Sequence, residues 1–149
     1  MSSNYQRTAY WLSACGKQPS ATDLSVQIGC HMEETAEFFS TLDFGTSHDD
    51  QTMRLVVGNL MTLGRMLKTR TAVCRIRSLE REAALDALCD SEVTGNGVAF
   101  LAGFNKEEAD RRVLDSNDAK LVDGKPVILE GGKIGKPVGW KAPDLTDLV

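Results

Sequence analysis

The run His31-Met32-Glu33-Glu34-Thr35-Ala36-Glu37-Phe38-Phe39 sets three carboxylates within five residues, between apolar side chains, in a segment that reads as helix. Residues three or four apart share a helix face, so Glu34 and Glu37 can point the same way, and Glu33 flanks them. Like charges this close repel, and an apolar segment screens them poorly. A cation removes the conflict. Hard divalent ions such as Mg2+ take oxygen ligands, commonly one or two carboxylates plus waters and substrate phosphates. A second acidic pair, Asp86 and Asp90, stands one turn apart in Ala83-Ala84-Leu85-Asp86-Ala87-Leu88-Cys89-Asp90, otherwise made of alanine, leucine and cysteine. Ionised groups in such company are expensive unless paired or bound to metal. Solvent exposure explains most acids on helices, but the apolar neighbours of both groups argue against it here. Two acidic faces meeting across a bundle would cage one or more divalent ions.

The donor types narrow the chemistry. A di-iron bundle needs Glu-x-x-His on two of its helices, whereas here His31 precedes Glu34, the reverse order. An oxygen-only set favours Mg2+ or Mn2+, and with it phosphate chemistry.

These acids need helices to hold them. Tyr5 to Cys15, with Ala9, Tyr10, Trp11 and Leu12, predicts a short amphipathic helix that Gly16 terminates. Ser20 or Thr22 caps the next, from about Asp23 to Leu42, with Leu24, Ile28, Met32, Thr35, Phe39 and Leu42 as its core-facing stripe. His48 falls in the polar turn that follows and reads as exposed. A third helix starts at Asp49 and carries Met53, Val56, Val57, Leu60, Leu63, Met66 and Leu67 at spacings of three and four. Its exit is basic, with Lys68, Arg70, Arg75 and Arg77 read as a solvated face rather than a phosphate site. Ser78 caps a fourth helix, which carries Asp86 and Asp90 and runs to Gly103 or Phe104. Gly95 and Gly97 within it imply close packing of another helix, or a break. Asn105-Lys-Glu-Glu108 is a capping-box pattern opening a fifth helix to about Ser116. Beyond Asn117, Asp123-Gly124 and Gly131-Gly132 punctuate a short hairpin or an extended tail, and Gly135, Pro137, Gly139 and Pro143 exclude further helix before Asp144. The expectation is one all-α domain over residues 1–149, a bundle of four to five helices with a Gly/Pro-containing tail arm over 118–149.

Composition bounds the partners. A chain of 149 residues, 42% hydrophobic and 26% charged, is ordinary for a globular domain. The net charge of -4 gives no basic footprint for nucleic acid. No apolar run approaches the roughly 20 residues of a membrane span, and Met1-Ser-Ser-Asn-Tyr-Gln-Arg lacks the apolar stretch of a signal peptide. Cys15, Cys30, Cys74 and Cys89 show no CxxC pairing and His31 and His48 are the only histidines, which argues against zinc and against a disulfide framework. Reduced, mostly buried cysteines in a cytoplasmic protein are expected.

Glu33-Glu34-x-x-Glu37, then Leu85-Asp86-Ala87-Leu88-Cys89-Asp90 and Gly103-Phe104-Asn105, resemble the all-alpha nucleoside triphosphate pyrophosphohydrolases of the MazG-like group. Ser116-Asn117-x-x-Lys120, Asp123-Gly124-Lys125-Pro126 and Gly132-Lys133-x-x-Lys136-Pro137-x-x-Trp140-x-x-Pro143 resemble the tail of its single-domain dUTPase subgroup and related phage proteins. The resemblance spans about residues 23 to 145. It implies hydrolysis of a nucleoside triphosphate to the monophosphate and pyrophosphate, with Mg2+ or Mn2+ at two or more ions per site. It makes Glu34 and Glu37 metal ligands, Asp90 the aspartate of the second acidic motif, and Glu33 the group that orients or deprotonates the attacking water. Asn117 and Lys120, with Lys133 and Lys136, would hold phosphate oxygens from the same or a neighbouring subunit. It also implies a homodimer or homotetramer. Two features depart from the pattern. Ala87 stands where the second motif usually has Glu, and Asp86, the substitute, is rotated about 100° around the helix. The spacing between the two acidic motifs is also longer than usual.

The base is not encoded in any motif, because discrimination between bases comes from pocket shape. Trp11, Lys17, Gln27 and Cys30 are candidates for a base pocket, with Trp11 equally readable as core. The phage-like tail leans towards dGTP or GTP as substrate, as in phages whose genomes carry 2-aminoadenine, with dUTP second. A non-catalytic helical regulator that binds nucleotide or metal is the reading from a different class. The degenerate second motif is its support.

Overall fold

The structure is a computed structural model that describes residues 2–129 and 134–149. Five α-helices dominate, and the chain divides into two compact units, Pro19–Ser78 and the remainder on either side of it. The all-α expectation holds at this level. Each unit has its own logic.

The Pro19–Ser78 unit is a helical hairpin of α2 (Ala21–Phe39) and α3 (Ser47–Lys68). Ser20, not Thr22, caps α2, its hydroxyl accepting from the Asp23 N–H. Thr46 does the same for α3 through the Asp49 N–H, so α3 begins two residues before the expected Asp49 and includes His48, which is exposed. The buried line of α2 is Ser25, Gly29 and Ala36 rather than the larger stripe, of which Leu24 and Leu42 are exposed. The reason is backbone proximity. A Cβ on Gly29 would stand 2.7 Å from the Gly64 carbonyl oxygen and 2.9 Å from Leu67 Cβ. A Cβ on Gly64 would meet the Gly29 carbonyl oxygen at 2.9 Å. Small residues therefore occupy the seam, and the larger apolar side chains stand beside it. Past α3, the chain doubles back through Arg70 (φ 61°), and the Cys74 N–H reaches the buried Ser25 hydroxyl at 3.1 Å.

The second unit contains α1 (Asn4–Ala14), α4 (Arg81–Leu101) and α5 (Lys106–Asp118), then a two-strand hairpin of β1 (Leu121–Val122) and β2 (Lys125–Pro126). A capping box, Ser3 with Gln6, starts α1, a signal the sequence reading passed over. Asp123 and Gly124 both take positive φ (51° and 74°) at the hairpin turn, as a two-residue connection between antiparallel strands requires. An isolated bridge joins Ile128 to Ile134, and a 3-10 turn at Thr146–Leu148 ends the chain. Of the tail arm, residues 130–133 lie outside the described set.

Two expectations for the fourth helix need correction. Ser78 does not cap it; it opens a 3-10 turn over Ser78–Glu80, and α4 starts at Arg81 with no side-chain cap. Nor do Gly95 and Gly97 mark close packing or a break: α4 is continuous through them, and nothing lies within 4 Å of a Cβ at either.

α5 is the scaffold of this unit. Asn105 caps it by accepting from the Glu108 N–H, while the Glu108 carboxylate is taken by Arg111 and Arg112 instead of closing the box. α1 lies on α5 through Arg7, which pairs with Asp115 at 2.8 Å and Asp118 at 2.5 Å. The C-terminus returns to α5 through Arg112, which pairs with Asp147 and donates to the Asp144 carbonyl oxygen, and through the Asn105 N–H, which donates to the Leu148 carbonyl oxygen.

Candidate functional site

Glu33, Glu34 and Glu37 sit on α2, in the hairpin unit. Glu34 and Glu37 are exposed, against the expectation drawn from their apolar neighbours, and no hydrogen bond or ion pair engages either carboxylate among the described residues. Glu33 is half-buried against the seam, and its carboxylate is paired with the Lys68 ammonium near the end of α3. That hydrogen bond is the main cause that pushes Lys68 up from its ordinary range, against the opposing effect of burial. Lys68, read in the sequence as part of a solvated exit, is thus a specific partner of the acidic run. For Glu33 to orient a water, it must share or release that ammonium.

Asp86 and Asp90 sit on α4, in the other unit, and both are exposed. The expectation that apolar neighbours would bury them is not met, because α4 has little packed on it: of its residues only Ala99 is buried. Among the described residues no three His, Cys, Asp or Glu side chains are grouped to hold a metal. What each unit offers is a pair of hard oxygen donors on one helix face, Glu34 with Glu37 and Asp86 with Asp90. Such a pair fits Mg2+, which takes one or two carboxylates and fills its remaining positions with waters and substrate phosphates.

The residues assigned to phosphate do converge. Asn117 ends α5, and its side-chain oxygen accepts from the Lys120 ammonium at 2.9 Å. That ammonium lies between two indoles, 5.9 Å from the Trp11 ring centre and 5.5 Å from that of Trp140. Lys136 stands 4.3 Å from the Trp140 ring centre. Lys133, assigned with them, lies outside the described residues. Both indoles are anchored by the end of α5: Trp11 Nε1–H donates to the Asn117 carbonyl oxygen and Trp140 Nε1–H to that of Ser116, each at 2.9 Å. A helix leaves its last carbonyls without intrahelical partners; Trp140 supplies a donor to that of Ser116, while Trp11 adds one to that of Asn117, which also accepts from the Lys120 N–H, and both rings are fixed in doing so. The result is a basic-aromatic cluster of Asn117, Lys120, Lys136, Trp11 and Trp140. Sequence reasoning found its lysines but read Trp140 only as a motif letter; the Trp-to-helix-end bonds join residues too distant in sequence to be seen there. Trp11 belongs to this cluster and not to the unit that holds Gln27 and Cys30.

Cys89 is exposed and Cys15, Cys30 and Cys74 are half-buried, not buried as expected. Burial pushes the Cys15 thiol up. Among the described residues no helix is long and apolar enough to cross a membrane.

In comparisons with known proteins, no family model matches this chain, and neither a curated protein nor a solved structure matches it.

Proposed function

We propose that the protein is a metal-dependent nucleoside triphosphate pyrophosphohydrolase, cleaving its substrate to the monophosphate and pyrophosphate. The observation that carries this reading is the pairing of two kinds of site on one chain. One is an exposed carboxylate pair, Glu34 and Glu37, that forms no ion pair among the described residues, with Lys68 near enough to feel the Glu34 charge. The other is a basic-aromatic cluster in which Lys120 and Lys136 flank Trp140. A polyanion with a planar base needs both. The sequence resemblance to MazG-like enzymes supplies the reaction class, and with it the lean to dGTP or GTP over dUTP.

In this reading Glu34 and Glu37 hold Mg2+ or Mn2+, and Asp90, with Asp86 beside it, is the acid that the resemblance assigns to the second motif. A bound divalent ion supplies charge neutralisation and an acidified water. Glu33 positions that water, with Lys68 setting its carboxylate. Lys120 and Lys136 add positive charge where negative charge develops, and Asn117 orients Lys120. We further place the working form as a homodimer or homotetramer. Leu85, Leu88, Val93, Phe100 and Leu101 of α4 are all exposed, and a helix apolar on most sides is ordinarily covered.

The test is a pyrophosphate-release assay over a panel of nucleoside triphosphates with Mg2+, and again with chelator. Release from at least one guanine or uracil nucleotide, abolished by chelator, is expected. No release from any of them overturns the enzymatic reading and favours the nucleotide-binding regulator. The specific observation behind that second reading is that Asp86 and Asp90 are exposed on a helix with Ala87 where the related motif has Glu.

A further inference from the structure

The 137–144 segment does not simply lie on α5; it stands off from it along an open cleft of about 560 Å3. Its walls are Arg111 and Asp115 on α5 and Ala119 just past its end, facing Pro137, Trp140 and Pro143. The walls are held from several points. Trp140 is bonded to Ser116, the Ser116 hydroxyl donates to the Lys141 carbonyl oxygen at 3.4 Å, and Arg112 holds the Asp144 carbonyl oxygen at 2.8 Å. A tight turn positions the indole: Trp140 N–H donates to the Pro137 carbonyl oxygen at 3.0 Å, with Gly139 at φ 83°. The arginines are tied into carboxylates, Arg111 to Glu108 and Asp115, and Arg112 to Glu108 and Asp147. The cleft floor is therefore close to charge-balanced, while Lys136 and Lys120 place positive charge beside Trp140.

Apolar and aromatic walls, a few fixed polar groups and a volume within roughly 300–1,000 Å3 are the marks of a small-ligand site. Lys136 and Lys120, stacked over the Trp140 indole just outside the cleft lining, favour negative charge on the ligand. We propose that this cleft is the base-and-sugar subsite for a nucleoside phosphate, with Trp140 as its aromatic wall and its phosphates directed to Lys136 and Lys120. The proposal rests on the nucleotide reading above but not on hydrolysis. Trp140 and Ala119 act in binding, and the acids of α2 take no part in it.

The chain has only two indole N–H groups, Trp11 and Trp140, so their cross-peaks in a 15N-labelled full-length sample can be told apart with a Trp11→Phe variant. The titrants are GTP and dUTP in chelator, guanosine, deoxyuridine, and inorganic tripolyphosphate. At least one triphosphate and its nucleoside should move the Trp140 indole peak, by a shift that tripolyphosphate does not reproduce. Ala119→Phe, at an exposed position on the cleft wall, should fill the cleft and weaken that nucleotide's binding at least about tenfold, as expected from loss of base stacking. A Trp140 peak unmoved by every nucleotide, or Ala119→Phe binding as tightly as the parent, overturns the assignment. So does a shift given equally by tripolyphosphate and by no nucleoside, which would mean an anion site alone. Pyrophosphate release with an unmoved Trp140 peak removes the cleft and leaves the enzyme. A moved Trp140 peak without release keeps the cleft and removes the hydrolase.

Discussion

Arg112 shows how much one side chain can organise. It draws Glu108, Asp147 and the Asp144 carbonyl onto a single guanidinium, and so closes the C-terminal segment onto α5. Arg111 and Arg112 together hold the Glu108 carboxyl down to about 2. A carboxylate whose folded pKa is depressed contributes stability that is fully present above its unfolded value, about 4.3, and is lost as pH falls through the folded one. The α5 clamp should therefore loosen between about pH 4.3 and pH 2, and Glu108→Gln should remove that part of the acid transition. A pH titration of the Trp140 indole peak in both proteins checks this. A transition of the same size in Glu108→Gln would place its origin elsewhere. At the same scale, Glu34→Gln and Glu37→Gln should abolish turnover while leaving the helical circular dichroism unchanged, because both side chains are exposed. The acidic run was legible in the sequence as types at a spacing, whereas Asn117, Lys120 and Lys136 were reached only through the family resemblance. That Glu33 is engaged by Lys68, and that two indoles grip the end of α5, was not, because each contact joins residues far apart in the chain.

Helix identities were readable from periodicity and caps, and burial was not. The amphipathic repeat of α3 was correct as a helix signal, yet Leu63 and Met66 are exposed and Gly64 and Leu67 form the buried line. Apolar spacing indicates which side of a helix is apolar; it does not indicate where two backbones come closest, which here is decided by the absent side chains of Gly29 and Gly64. The two glycines of α3 should accordingly respond in opposite directions. Gly64→Ala forces a Cβ to within 2.9 Å of the Gly29 carbonyl oxygen, and overpacking of this kind costs about 1–3 kcal/mol. Gly58→Ala meets nothing within 4 Å, and replacing an exposed helix-interior glycine should stabilise by about 0.8–1 kcal/mol. Urea unfolding of both variants decides it; two changes of the same sign would remove the glycine seam as the hairpin's organising contact. The hairpin at Asp123-Gly124 was legible because its turn chemistry is local. The exposed surroundings of Asp86 and Asp90 were not, since an apolar segment reads as buried whether or not the same chain covers it.

For the molecule as a whole, α4 is the element left most open, with Phe100 at 81% and Leu101 at 85% exposure. Self-association through it predicts that light scattering finds a dimer or tetramer, and that Leu88→Lys shifts the population towards monomer at micromolar concentration. A monomeric parent chain would contradict that assembly. The proposed hydrolysis depends on the acids of α2. The most direct measurement is 31P NMR of GTP, dGTP and dUTP incubated with Mg2+ and the parent chain, Glu34→Gln or Glu37→Gln. Monophosphate and pyrophosphate signals growing with the parent alone are the predicted result. Triphosphate left intact by the parent, or equal turnover by both variants, would contradict it.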